Sequence, residues 1–167
     1  GVIGMEFASF FNTLGTKVTV IEMLPKILGP MDSELSEMLL KTYAKKGIDF
    51  KLGCKVTGIE GGTVIYTDPD GNEYRAEGEK ILVSVGRRAV LDGFGLENLS
   101  VETDRGIKVN ERMETSVPGV YAAGDVTGFS MLAHTASREG EVAVNNILGK
   151  DDRMSYRAIP GIVYTNP

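Results

Sequence analysis

Val18-Thr19-Val20-Ile21 is a β-branched run that stops on an acid, Glu22, and it comes directly after a glycine-led helical segment. This succession constrains the fold more than any other feature. A short apolar run without polar alternation is a strand buried on both faces, and such strands belong to parallel sheets covered by helices. The segment before it, Gly1-Val2-Ile3-Gly4-Met5-Glu6-Phe7-Ala8, reads as a turn entering a helix, with Phe7, Ala8, Phe11 and Leu14 at helical spacing and Gly15 as its stop. No strand precedes that turn in the sequence.

The alternation continues. Asp32 is placed to cap a helix with an inward stripe of Leu35, Met38, Leu39, Thr42 and Tyr43, closed by Gly47. Residues 48–51 predict a short strand, and 55–59, 63–67 and 73–76 predict an antiparallel meander with turns at Gly61-Gly62 and Asp70-Gly71. Residues 80–85 predict a return to the core sheet. Helix, strand, helix, strand, small insert, strand is the order of an α/β, Rossmann-like dinucleotide-binding domain lacking its first strand. From Arg87 to Thr115 the chain is irregular except for a short strand expected at 106–109. A second strand is expected over 117–125, ending in Gly124-Asp125, then a helix from about Leu132 to Leu148 with Ala133, Ala136, Gly140, Ala143, Val144 and Ile147 on one small-residue face. The unpaired sheet edge is expected to recruit another chain or the apolar tail at Ile162-Val163-Tyr164.

Several function classes drop out on composition. A single cysteine, Cys54, and a single histidine, His134, give neither an internal disulfide nor the ligand spacing of a zinc site. The net charge is −5 and the Lys and Arg residues are scattered, so no face suits a phosphate backbone and no nucleic-acid partner is expected. No apolar run approaches the roughly 20 residues that span a bilayer. The expected compartment is the cytoplasm, where a lone thiol stays reduced.

In a Gly-x-Gly-x-x-Gly turn the middle glycine admits a pyrophosphate to the backbone and the last lets helix and strand pack closely. Gly1 and Gly4 fit the second and third of these positions. Glu22, 18 residues after Gly4 at the end of a strand, suits the two ribose hydroxyls of an adenosine, repels a 2′-phosphate, and so favours NAD over NADP. A solvated strand-end acid is the other reading of Glu22, and favourable placement in the helix macrodipole is the other reading of Glu6. Asp125, after the small-residue run Tyr121-Ala122-Ala123-Gly124, is placed to hold a polyol hydroxyl.

Gly-Val-Ile-Gly-Met-Glu-Phe-Ala at 1–8, Val-Thr-Val-Ile-Glu at 18–22, Ser-Val-Gly-Arg-Arg at 84–88, Val-Tyr-Ala-Ala-Gly-Asp-Val at 120–126 and Met-Leu-Ala-His-Thr-Ala at 131–136 resemble the flavoprotein disulfide reductases. With Arg138-Glu139-Gly140 and Ile-Pro-Gly-Ile-Val-Tyr-Thr-Asn-Pro at 159–167, the resemblance is strongest to their dihydrolipoyl dehydrogenase branch. It implies an NAD-binding domain over 1–88, the returning part of an FAD-binding domain over 89–152 and the start of an interface domain over 153–167. It further implies that Gly1, Val2, Ile3, Gly4, Met5 and Glu6 line the NAD pyrophosphate and nicotinamide side, Glu22 the adenosine ribose, Val56 the adenine and Gly86 the nicotinamide. Asp125 would bind the ribityl chain of FAD, and Met131, Leu132, Ala133 and His134 would offer backbone amides to the flavin pyrimidine, with the His134 imidazole as a packing group. Arg87 and Arg88 would screen phosphates or pair with local acids. The family's redox cysteine pair and its His-Glu acid/base pair have no counterpart here, so no catalytic residue is assigned and these residues alone are expected to be inactive. The implied parent is a homodimer that oxidises protein-bound dihydrolipoamide for lipoyl-bearing 2-oxo acid dehydrogenase or glycine cleavage components. The alternatives are another flavoprotein disulfide or coenzyme A disulfide reductase, or a non-catalytic NAD-binding module.

Overall fold

Strands β1 (Thr19–Glu22) and β2 (Asp49–Leu52) pair in parallel, Thr19 opposite Asp49 and Glu22 opposite Leu52. Parallel neighbours need a crossover, and helix α2 (Ser33–Lys45) supplies it. The Asp32 carboxylate accepts a hydrogen bond from the Glu34 amide at 2.8 Å and caps the helix. The structure, a computed structural model, describes residues 1–166. It forms two units, one of residues 1–86 together with the tail from Gly161, the other Arg87–Pro160.

Helix α1 (Val2–Thr13) and α2 enclose the core of the first unit: Met5, Ala8, Ile27, Leu28, Tyr43 and Ile48. Both inward faces match the expected ones only in part: Ala8 and Tyr43 are buried and Leu39 packs on the core as expected. On α1 the buried residues are Met5, Ala8 and Ser9, while Phe7, Phe11 and Leu14 are exposed. On α2 they are Ser36 and Tyr43, while Leu35 and Met38 are exposed. These helices carry more than one apolar stripe, and spacing alone cannot choose between them. Hydrogen bonding decides. The Ser36 hydroxyl donates to the Ile27 carbonyl at 2.8 Å, and Ser9 Oγ and Tyr43 Oη lie 2.5 Å apart, so the faces holding these serines can be buried.

The meander forms as expected: β3 (Lys55–Glu60), β4 (Thr63–Thr67) and β5 (Glu73–Glu77) make an antiparallel sheet in that order. The strand expected over 80–85 does not form, and Val85 is 91% exposed. A β-branched run becomes a strand only where a neighbouring backbone takes up its N–H and C=O groups. Among the described residues none lies alongside it. The tail does not mend a sheet edge either. Val163 packs on the first core, the Tyr164 amide donates to Glu6 Oε1 at 2.9 Å, and the Asn166 amide donates to the Tyr43 hydroxyl at 3.1 Å, all without adding a strand.

In the second unit helix α3 (Ala133–Ile147) packs Val142 and Ala143 against Met113 and Met154. Its buried face runs through Thr135, Glu139, Val142 and Ala143; of the small-residue face expected from the sequence Ala143 is buried, Ala136 and Gly140 are partly so, and Ala133, Val144 and Ile147 are exposed. The strands expected over 106–109 and 117–125 reduce to isolated bridges, Thr103 with Ile107 and Glu114 with Tyr121. Single loop contacts consume the backbone groups there, such as the Ile107 amide to the Val126 carbonyl at 2.9 Å and the Ala122 amide to the Met113 carbonyl at 3.1 Å. At the first of these, two backbones touch. A Cβ added at Gly106 would overlap the main chain of Thr127, and one at Gly128 would stand 2.6 Å from the Arg105 carbonyl oxygen.

Two outcomes follow. Tyr43→Phe should destabilise the first unit by about 1–3 kcal/mol in urea denaturation, because it removes the hydroxyl that Ser9 Oγ and the Asn166 main chain share and leaves the Asn166 amide only its longer bond to Ser9 Oγ at 3.3 Å. Expressed alone, the 167 residues should self-associate through the unladdered 80–85 segment, and light scattering that finds only monomer at micromolar concentration would refute this.

Candidate functional site

Glu22 closes β1, and the bend that follows returns its carboxylate to the start of α1. Glu22 Oε2 lies 3.1 Å from the Gly1 nitrogen, and Oε1 accepts from the Leu24 amide at 3.0 Å. Partial burial raises the pKa of this carboxyl group, but the hydrogen bonds from the Leu24 amide and from the Gly1 α-amino group, with the positive charge of the latter, outweigh it and hold the group below its usual range. It is therefore an anion at neutral pH. The first N–H groups of a helix have no partner within it, and no side chain caps α1. One corner of the first unit thus combines unclaimed donors with an ionised acceptor at a strand's carboxyl end.

Other residues picked from the sequence lie around this corner. The Cys54 amide donates to the Glu22 carbonyl at 3.0 Å, so Val56, exposed on β3, starts beside the same rim. A side chain at Gly4 would meet Ser84 Cβ and Oγ at 3.5 Å, which brings the segment leading to Gly86 against the first turn of α1. Gly86 has φ +124°, with open space where a Cβ would project. Val2 packs on the core, Met5 is buried within it, and Ile3 is exposed. Glu6 receives the Tyr164 amide.

The second group sits in the other unit. Asp125 lies in the single 3-10 turn Gly124–Thr127, half exposed, and its carboxylate pairs with the Arg87 guanidinium. Of the two roles open to Arg87, pairing with a local acid is the one observed. Met131 is partly buried, and Leu132, Ala133 and His134 form the exposed, uncapped start of α3. His134 is exposed and enters no core.

Sequence reading passed over two further contacts here. Glu139, fully buried on α3, accepts from the Gly124 amide at 2.6 Å and from the Tyr156 hydroxyl at 2.8 Å. Arg138 forks onto Asp152 at 2.9 and 2.6 Å, and Asn145 donates to the same carboxylate at 2.8 Å. The Arg138 guanidinium, and after it the Asn145 amide, hold Asp152 down to about 2. Arg138-Glu139-Gly140 carries part of the family resemblance, but neither partner is marked by spacing, since both pairings join a helix to a loop more than a turn away. A carboxylate inside an otherwise apolar helix stripe is the one signal that singles out Glu139.

This arrangement can be compared with known proteins. The sequence signature of the pyridine nucleotide-disulphide oxidoreductases matches residues 1–140. The chain belongs to that family. This pyridine nucleotide-disulphide oxidoreductase chain is 41% identical over its whole length to dihydrolipoyl dehydrogenase 3 of Pseudomonas putida and covers 37% of that protein. It is 48% identical to dihydrolipoyl dehydrogenase of Acholeplasma laidlawii over 89% of the chain, covering 44% of the relative. Among solved structures, LpdA of Mycobacterium tuberculosis superposes with a TM-score of 0.85 at 28% identity, covering 99% of this chain and 37% of the other. The chain therefore spans well under half the length of these relatives, and its fold is the α/β fold of the family.

The Asp152 cluster predicts a pH dependence. Its carboxyl pKa is depressed on folding, so the stabilisation is complete above the unfolded value near 4 and is lost as pH falls toward about 2. Thermal unfolding of the wild type and of Arg138→Met should therefore differ most above about pH 5 and converge in acid, whereas a constant difference would contradict the assignment.

Proposed function

We propose that these residues supply the NAD platform and part of the flavin cradle of an FAD-dependent dithiol oxidoreductase of the dihydrolipoyl dehydrogenase type. The observation that carries this reading is the Glu22 carboxylate held against the start of uncapped α1. An ionised acceptor there takes both ribose hydroxyls of an adenosine and repels a 2′-phosphate, while the free N–H groups take a pyrophosphate. Val56 would cover the adenine, and Glu6 and Gly86 would flank the nicotinamide. The domain limits proposed with this reading are 1–88 for NAD, 89–152 for FAD and 153–167 for the interface.

The second unit fits a flavin on the same kind of evidence. Asp125 offers a half-exposed carboxylate to a polyol hydroxyl, with Arg87 balancing its charge. The exposed start of α3, at Met131 to His134, presents main-chain donors where negative charge on a reduced ring would be stabilised. When bound, the flavin and nicotinamide would carry electrons from a dithiol to NAD as hydride. Cys54 takes no part in this. It is buried in the bend between β2 and β3, and its thiol donates to the Leu52 carbonyl. The substrate we propose is protein-bound dihydrolipoamide, the setting a homodimer serving lipoyl-bearing 2-oxo acid dehydrogenase or glycine cleavage components, and the compartment the cytoplasm. Among the described residues no helix is long and apolar enough to cross a membrane.

Titration of the full-length protein with NADH tests the platform. Glu22→Gln should weaken binding roughly ten- to a hundredfold, the scale of hydrogen bonds to a charged group. Tighter binding of NADPH than of NADH would overturn the cofactor assignment.

A further inference from the structure

The turn that carries Asp125 is held at its far end by main chain, the Ile107 amide donating to the Val126 carbonyl at 2.9 Å, and its near end at Gly124 is held differently. It is a single 3-10 turn, no side chain caps it, and it ends on a left-handed glycine, Gly128. Gly124, the residue before Asp125, is itself left-handed at φ +82°, and a Cβ there would come within 3.3 Å of Ala136 Cβ on α3. The Gly124 carbonyl is taken by the Thr127 hydroxyl at 2.9 Å, inside the turn. Its amide points outward from the turn, and the acceptor it finds is Glu139 Oε2 at 2.6 Å.

Burying a carboxylate completely is costly unless its oxygens are matched by donors. Both Glu139 oxygens are matched. Oε1 receives the Tyr156 hydroxyl, whose pKa burial and the Glu139 bond both raise, so it stays protonated and remains a donor. The Phe129 ring packs on that of Tyr156, their centroids 4.4 Å apart. A buried acid with one oxygen on a helix-docked tyrosine and the other on the backbone of a cofactor turn resembles a brace more than a core filler.

We propose that Glu139 is a positioning residue for FAD: by holding the Gly124 amide to α3 it fixes the direction in which Asp125 presents its carboxylate. The inference rests on the reading of Asp125 as a flavin contact and adds the residue that makes the contact rigid. A charge-assisted bond to a main-chain donor suits this role because it is short and directional.

The test is reconstitution of the full-length apoprotein with FAD, following flavin fluorescence and the visible absorption bands. Glu139→Met keeps the volume and removes both acceptors, and it should raise the FAD dissociation constant at least about tenfold and shift the bound-flavin spectrum. Glu139→Gln keeps an acceptor for Gly124 and should bind within about threefold of wild type, a rescue that a mere core role would not give. If the Met variant fails to fold, Glu139→Asp serves instead, since it keeps the charge but withdraws it from Gly124, and it too should bind FAD weakly. In an Asp125→Ala background the loss caused by Glu139→Met should vanish, because the two residues act on one contact. Wild-type affinity in Glu139→Met or Glu139→Asp, an equal loss in the Gln and Met variants, or full additivity with Asp125→Ala would overturn the proposal. Failure of the wild-type protein to bind FAD would instead remove the reading on which it rests.

Discussion

A tyrosine hydroxyl buried between two helices is the tie on which the first unit depends. Tyr43 is fully buried on α2, and its oxygen meets Ser9 of α1 at 2.5 Å and the main chain of Asn166 in the tail. Burying a phenol commits the fold to giving that oxygen partners, so the spacing of the two helices is set by hydrogen bonds as well as by volume. Because α1 is fixed in this way, its first residue comes to rest beside the end of β1. The corner between Gly1 and Glu22 is thus a consequence of polar burial about two turns of helix away.

Local chemistry made much of this legible in the sequence. Asp32 announced the start of α2, Gly61 and Gly71 the hairpin turns at positive φ, and the Val18–Ile21 run a strand at Thr19–Glu22, which is partly buried and not, as expected, buried on both faces because it has one neighbouring strand. These features are decided by a handful of adjacent residues, whatever packs on them. What the sequence left open were choices made at a distance. Residues 80–85 and 117–125 have the composition of strands, yet a strand exists only when a second backbone completes it. The inward faces of α1 and α2 turned on which serine found an acceptor. The candidate site divides in the same way: Glu22 was visible from its place after a strand, whereas Glu139 is defined by two partners 15 and 17 residues away.

The two units reach stability by different balances. Around Tyr43 six buried residues form one apolar cluster, with partly buried neighbours from both strands. In the second unit the corresponding cluster has four members, and directional bonds take over: Arg138 and Asn145 on Asp152, Asn146 on the Asp152 carbonyl, Glu139 on Gly124. Directional contacts specify geometry more sharply than apolar area does, which suits the task proposed for this region, presenting the Asp125 carboxylate to a flavin.

The meeting of Gly106 with Thr127 and Gly128 extends this to the level of heritable change. With main chain seated on main chain, there is no rotamer to adjust and no methylene to trim. At an ordinary surface position a codon change exchanges one side chain for another and leaves the path of the chain alone. At Gly106 and Gly128 it reroutes the chain itself, so both are places where variation has no small step to take.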